Sequence, residues 1–532
     1  MIFTVIIATI VLVISLGYLF FQRKNKQYIA SLTSRGIRYQ PQSSLLEILI
    51  FKKRVELESL KNVKSVGKIY GFIMFGGINL VVAEPELIQL VLSKEFTNFP
   101  NRRKFNIEDD IFANVLSAVD LDQWKRLRAI VAPTFATGKL RRMKFRMDSI
   151  CRTLIRNINA ELTKSNDNEC ILNIKRFAGA FTMDTILQVA FGCQIDSLIE
   201  PDNPIIKNAK KSFNTDMSIK NILMFIMMFT MPSYIAKIFK LRPNNEVLNF
   251  FHDFSLDIIE RKRKEFAEKD FSKASTFIEF LIEAEHEWII SQQQQKTDDG
   301  SVEKKPVKYM TNTEMIAQCV LFFLAGYDTT ATTITMALYN LSLNPDKQEL
   351  AYQEIERITR EQQANDCEDP LESLALESYG SKFEYINGVV NETLRMTPPA
   401  TFIERRCEND FVLKTEDDRI KLQVKKDEII QIPVWALHYN EDFFSEPEKF
   451  RPERFCKETA ENFPNYAYIP FGSGPRACVA KSLALLEAKM ALVWLIKNFR
   501  FSKCSKTKIP VEFYNQGGFL SPKDIYLSVE RR

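Results

Sequence analysis

Between Phe471 and Ala480 the chain reads Phe-Gly-Ser-Gly-Pro-Arg-Ala-Cys-Val-Ala. Gly472, Gly474 and Pro475 suit neither a strand nor a helix interior, so they force a rigid irregular loop. The loop runs into 480–498, whose apolar spacing predicts an amphipathic helix. Cys478 then stands at a helix N-terminus, where free N–H groups and the helix dipole favour a thiolate. Arg476 adds positive charge beside it. These are the conditions for an anionic sulfur ligand; the competing reading is a glycine-rich turn beside a buried cysteine.

The remaining composition removes other chemistries. The nine cysteines contain no CxxC pair and the three histidines (252, 286, 438) no HExxH spacing, which excludes a zinc ribbon or a histidine-rich metal site. Scattered cysteines fit a reducing compartment. A net charge of +5 without a dense basic stripe does not suit a nucleic-acid binder. A mean hydropathy of -0.16 excludes a bundle of many spans. Aromatic residues at 11% exclude a mainly disordered chain.

Ile2–Phe21 carries no charge and, as a helix, reaches roughly 30 Å, the thickness of a bilayer core. Arg23, Lys24 and Lys26 follow, holding the C-terminal side in the cytosol. The division expected is an anchor over 1–21, a basic flank and linker over 22–64, and a catalytic body over 65–532. Within that body Gly67–Ala83 reads as two strands joined at Gly76-Gly77, and Glu84-Pro85-Glu86 as a helix start. Helical periodicity marks Cys151–Leu162, Phe177–Phe191, Leu248–Phe266 and Thr313–Ser342. Strands are expected at Phe411–Leu413, Ile420–Val424 and Ile429–Pro433. The polar stretches 291–308 and 359–382 read as insertions in one body.

The Phe471–Ala480 stretch resembles the haem-binding signature of the cytochrome P450 family. The resemblance covers about residues 65 to 530. It implies a mainly α fold with small β-sheets, here preceded by one transmembrane helix. It implies that Cys478 is the axial iron ligand of haem b, with Phe471 in the cradle and Arg476 on a haem propionate. The family usually has glycine two residues after the cysteine; Ala480 adds a methyl there, and a small repacking is expected.

Further motifs match the same family. Glu392-Thr393-Leu394-Arg395 is a common spacing in any charged helix. Followed by Phe450-Arg451-Pro452-Glu453-Arg454-Phe455, it resembles the buried ionic triad behind the haem, here Glu392, Arg395 and Arg454. Trp124 and Arg128 resemble the WxxxR that meets the propionates; Arg405 resembles another propionate arginine, and Arg102 is a further candidate. Ala325-Gly326-Tyr327-Asp328-Thr329-Thr330 breaks helix propensity inside a long apolar helix. The family's oxygen-activating motif has this form, which implies space for a diatomic ligand at Ala325 and Gly326 and a proton relay through Asp328 and Thr329.

Pro133-Thr134-Phe135, Gly138-Lys139-Leu140 and Phe181-Thr182-Met183-Asp184 look like the animal microsomal branch that oxidises steroids, drugs and toxins. That branch usually has a proline-rich hinge after its anchor. Gly36–Ser44 holds only Pro41, so a looser turn is expected. A substrate pocket is expected from Ile111–Leu116, Phe322, Phe323, Ala400–Ile403 and Gly518–Leu520, with Ile222–Met231 as core or as a pocket roof. No flavin or nicotinamide fingerprint is present. Electrons must come from NADPH through a flavoprotein reductase, docked on the basic stretch 125–146, with cytochrome b5 as a second partner. The implied place is the endoplasmic reticulum membrane, and the implied reaction is oxygen insertion from O2 into a lipophilic molecule. The alternatives are a haem-thiolate peroxide isomerase or dehydratase and a non-catalytic haem-binding protein.

Overall fold

The computed structural model describes residues 2–43, 47, 53–104, 109–165, 169–213, 227, 245–267, 274–295, 309–363, 369–516 and 518–532. Most of the expected insertion at 291–308 and nearly all of Ile222–Met231 lie outside them. The elements that place the site are helix α1 (Ile2–Ser34), strands β1 (Ile69–Met74) and β2 (Gly77–Val82), helices α2 (Leu121–Val131) and α3 (Thr137–Lys164), strand β3 (Glu169–Asn173), and helices α4 (Ile174–Ile186), α5 (Asn312–Leu343) and α6 (Glu384–Met396). There follow β4 (Ile403–Arg406), β5 (Phe411–Lys414), β6 (Lys421–Val424), β7 (Ile429–Ile432), helix α7 (Lys481–Asn498) and strands β8 (Phe499–Lys503), β9 (Phe513–Gln516), β10 (Phe519–Pro522) and β11 (Tyr526–Arg531). The fold is mainly helical with small sheets.

The β1–β2 hairpin turns at Phe75-Gly76, one residue before the expected junction, with Met74 opposite Gly77. Both turn residues have positive φ, 53° and 71°, as a two-residue primed turn requires. The sheet order is β1-β2-β7-β4, with β2 and β7 parallel. Strand β11 joins β3 to β8. Helix α7, expected to be amphipathic, is buried on nearly every side, from Leu483 to Ile496. Its apolar residues pack against several neighbours rather than one.

Helix α5 begins with a capping box between Thr311 and Glu314. Its disfavoured residues are accommodated by back-bonding: Thr329 Oγ1 donates to the Ala325 carbonyl at 2.8 Å and Thr333 Oγ1 to that of Thr329 at 3.0 Å. Helix α4 lies close against it. A Cβ on Gly326 would stand 3.0 Å from Ile186 Cδ1, so glycine there eases the approach of the two helices. Phe322 and Phe323 also turn to the core. Phe322 stacks on Phe277 and Phe135 at 4.8 and 5.7 Å, and Phe323 is fully buried 4.6 Å from Phe251.

The segment after Phe21 is not loose. Helix α1 continues to Ser34, and Leu32 is fully buried in the sheet cluster. Arg35 grips Glu428 with two bonds of 2.8 and 2.7 Å and donates to the Gln423 carbonyl at 2.9 Å. Tyr28 bonds the Gly76 carbonyl, and Tyr39 bridges to Gly71 as an added strand would. These contacts do the work expected of a proline hinge. Among the described residues no helix is long and apolar enough to cross a membrane. The side chains of residues 1–14 and 16–18 lie outside the described residues.

Helix α6 packs on the short turn Pro452–Phe455. A Cβ on Gly388 would lie 2.6 Å from the Pro452 carbonyl oxygen and 3.1 Å from Cys456 Sγ. Gly→Ala inside a helix usually stabilises by about 1 kcal/mol. Here the backbone oxygen cannot yield, so Gly388→Ala is expected to destabilise by about 1–3 kcal/mol in denaturant unfolding. An unchanged or more stable variant would contradict this packing.

Candidate functional site

The loop before α7 is held by three backbone bonds: Gly472 N to Ile469 O (3.0 Å), Ala477 N to Gly474 O (3.0 Å) and Cys478 N to Phe471 O (2.9 Å). Gly472 and Gly474 both take φ of 71°. At Gly474 an added Cβ would overlap the Leu92 carbonyl oxygen, so only glycine fits. The loop therefore presents Cys478 from a fixed frame. Its thiol is open to solvent on one side. Protein packed around the other sides still desolvates it and pushes its pKa up. The Ala480 amide, Arg128, Arg102 and Lys481 oppose that shift.

Four guanidinium groups surround this loop. Arg476 is buried, donating to Asn101 Oδ1 at 3.1 Å and the Val119 carbonyl at 2.9 Å, with its centre 4.7 Å from the Trp124 ring. Arg405 is 1% exposed on β4 and donates to the Glu404 carbonyl at 2.8 Å. Arg128, on α2, donates to the Ala477 carbonyl at 2.9 Å, beside Cys478. Arg102 makes one long contact of 3.5 Å to the Ser117 carbonyl. Among the described residues none of the four makes an ion pair. Burial lowers the pKa of each; repulsion from Arg102 and Arg476 adds to the fall at Arg405, and Arg476 is lowered to about 10. Arg476 Nε and Nη1 and Arg405 Nε are buried with no hydrogen-bond partner among the described residues.

Buried cations with orphaned donors are costly unless an anion meets them. A flat macrocycle carrying two carboxylates and a metal that takes sulfur would satisfy both the arginines and Cys478. The donor set therefore fits haem. Trp124 is buried, with Phe96 at 5.5 Å on one side and Arg476 on the other. Phe471 packs against the core beneath the loop, 5.7 Å from Lys481 Nζ.

Past its exposed first turn, the residue of α5 open to solvent is Ala325, one turn before Thr329. Asp328 is directed elsewhere: its Oδ1 accepts from Ser521 Oγ at 3.0 Å. The Thr329 hydroxyl bonds the Ala325 carbonyl, so the two expected relay residues do not touch through these bonds. The segment 111–116 is tied to α5 by Gln318, which accepts from Leu116 N (3.0 Å) and donates to the Asn114 carbonyl (2.8 Å).

Glu392, Arg395 and Arg454 meet with no solvent access. Glu392 takes two bonds from Arg395 at 2.8 and 2.9 Å and one from Arg454 Nε at 3.2 Å. Arg454 also pairs with Glu461 at 2.5 Å, a fourth member absent from the sequence motif. Arg395 donates to the His438 and Pro447 carbonyls, both at 2.8 Å. His438 is another residue the motifs missed. Its Nδ1 donates to the Arg395 carbonyl at 3.0 Å and its Nε2 accepts from Ile469 N at 3.1 Å, which fixes a neutral ring. Ile469 in turn accepts from Gly472. The triad is thereby bonded, through one imidazole, to the loop that carries Cys478. A lone histidine in the sequence gives no signal of this; only the fold brings residues 395, 438 and 469 together.

A family model described as Cytochrome P450 matches residues 44–529. Among curated relatives, cytochrome P450 3A29 of Sus scrofa is 32% identical over 91% of this chain and 88% of its own length. Cytochrome P450 3A13 of Mus musculus is 32% identical over 93% and 90%. Cytochrome P450 3A7 of Homo sapiens is 31% identical over 91% and 89%.

Glu392→Ala would strand the buried Arg395 guanidinium and leave Arg454 with Glu461 alone; it is expected to cost about 3–5 kcal/mol of stability, read by urea unfolding, and a loss below 1 kcal/mol would contradict the burial. His438 predicts a pH effect. Burial and Arg395 depress its pKa from 6.5 to about 3. The unfolded ring takes up a proton that the folded ring refuses, so stability present above about 6.5 is lost as pH falls towards 3. His438→Leu is expected to be less stable at pH 7 yet to show a shallower loss across that interval. An identical slope would contradict a neutral buried ring.

Proposed function

The chain belongs to the cytochrome P450 family, and from that premise we propose that Cys478, Arg476, Arg405, Arg128, Trp124, Phe471 and Arg102 hold a haem b against α5. The protein is a haem-thiolate monooxygenase that draws NADPH-derived electrons through a reductase: RH + O2 + 2e⁻ + 2H⁺ gives ROH + H2O. The observation that carries the site assignment is the set of four guanidinium groups around the Cys478 loop that form no ion pair among the described residues. Cys478 supplies the sulfur ligand, and the arginines neutralise the two propionates. When bound, the haem activates O2, and its thiolate ligand pushes electron density that helps split the O–O bond.

The rest is done by the chain's own side chains. Ala325 leaves the α5 surface open. Thr329, one turn on, offers a hydroxyl at that surface, and Asp328 a carboxyl that can carry protons inward. Burial raises the Asp328 pKa, with Lys175 and Ser521 opposing, which helps it hold a proton. Glu392, Arg395 and Arg454 serve folding and cofactor retention. Substrates are lipophilic small molecules such as xenobiotics, steroids or fatty acids; the apolar segment 111–116 tied to α5 supports this. The electron donor is an NADPH-dependent flavoprotein reductase, with cytochrome b5 as a second donor. Within 125–146, Arg126, Lys139, Arg141 and Lys144 pair with Glu314, Glu283, Glu377 and Asp148, so the exposed Lys125 and Arg142 are what supports docking of an acidic partner. Residues 1–21 anchor the chain in the endoplasmic reticulum membrane. The uncharged run Ile2–Phe21, its basic flank and its place within the continuous helix α1 support this. Residues 22–64 link it to the catalytic body 65–532.

In membranes containing the protein, reductase and NADPH, one atom of labelled O2 is expected in the product of a lipophilic probe, and turnover is expected to fall steeply with salt. Peroxide rearrangement without reductase would contradict the monooxygenase reading, and a flat salt profile the docking face. Thr329→Ala is expected to divert NADPH oxidation from product to hydrogen peroxide; unchanged coupling would move the proton path elsewhere.

A further inference from the structure

Asp328 is the end of a chain of hydrogen bonds. Lys175 Nζ donates to Ser521 Oγ at 2.8 Å, and Ser521 Oγ donates to Asp328 Oδ1 at 3.0 Å. Both donors point the same way, from ammonium through hydroxyl to carboxylate. Three elements meet to build it: the first turn of α4, strand β10 and the middle of α5. Ser521 is 1% exposed, so its hydroxyl is shielded from competing water. Lys175 is half-buried. A second N–H goes to the Pro522 carbonyl, and its ammonium lies 4.9 Å from the Tyr514 ring. The other groups facing this line are Asp524 at Lys175 and Tyr327 at Asp328.

Both ends are desolvated. Burial lowers the lysine pKa and raises the aspartate pKa, and each opposes the other's shift. The two ionised forms are therefore less favoured than in water, which brings the neutral pair nearer in energy.

We propose that Lys175 and Ser521 are positioning residues that orient Asp328 and pass it a proton for the α5 face bearing Thr329. One Lys175 N–H bond breaks as a Ser521 O–H bond forms, while the original Ser521 O–H breaks as Asp328 Oδ1–H forms. The result is a neutral amine and a neutral acid, and the amine regains its proton from water at Nζ. The inference rests on the monooxygenase reading, whose reaction consumes two protons per O2.

The test uses the haem-loaded full chain and two readouts. The first is the pH titration of Lys175, followed by its competitive acetylation and mass spectrometry. In Asp328→Asn the opposite charge is gone, so the Lys175 midpoint is expected to fall by about one unit. The second is the share of NADPH that ends in product. Ser521→Ala and Lys175→Met are expected to lower it on the order of 10-fold, short of the 10²–10⁴ of a group that meets the reacting atoms. Ser521→Thr, which keeps a hydroxyl, is expected to restore it. Lys175→Arg keeps the charge but cannot release a proton, so it is expected to fail like Met. An unmoved Lys175 titration, unchanged coupling, or full rescue by Lys175→Arg would overturn the proposal. A wild-type chain that takes up no haem would instead overturn the reading on which it rests.

Discussion

Uncompensated positive charge around one sulfur shapes this molecule. Arg476 and Arg405 are buried, and three of their nitrogens have no hydrogen-bond partner among the described residues. Desolvation and mutual repulsion both oppose their charge. A stable fold retains such a cluster only if an anion compensates it. The pieces around it keep it in place: Trp124 beneath Arg476, the Ala477 carbonyl on Arg128, and the Asn101 side chain on Arg476.

The second constraint is rigidity of the loop. Gly474 passes too close to the Leu92 carbonyl for any side chain. Behind it, His438 ties Ile469 to the carbonyl of Arg395, so hydrogen bonds connect the buried Glu392 network to the Cys478 loop.

Much of this was legible in the sequence, because glycine, proline and a charged pair at fixed spacing restrict the backbone locally. The Cys478 loop, the Glu392–Arg395 pair and the β1–β2 hairpin are of that kind. What escaped depends on contacts between distant segments. His438, Glu461, Ser521 and Lys175 are ordinary polar residues in the sequence and gain their roles only from neighbours far along the chain. The reverse also occurred. Phe322 and Phe323 sit beside the relay motif in sequence, yet helical geometry turns them into the core. The missing proline hinge was misleading for the same reason: Leu32, Arg35 and Tyr39 secure that segment by tertiary contacts that no local pattern reveals.

The central claim is that Cys478 binds haem iron as a thiolate. The most direct measurement is the absorption spectrum of the reduced, CO-treated full chain made with ample haem, beside that of Cys478→Ala. The account predicts a thiolate-type band in the first and its absence in the second. A folded wild-type chain without haem colour, or a variant that keeps the band, would contradict it.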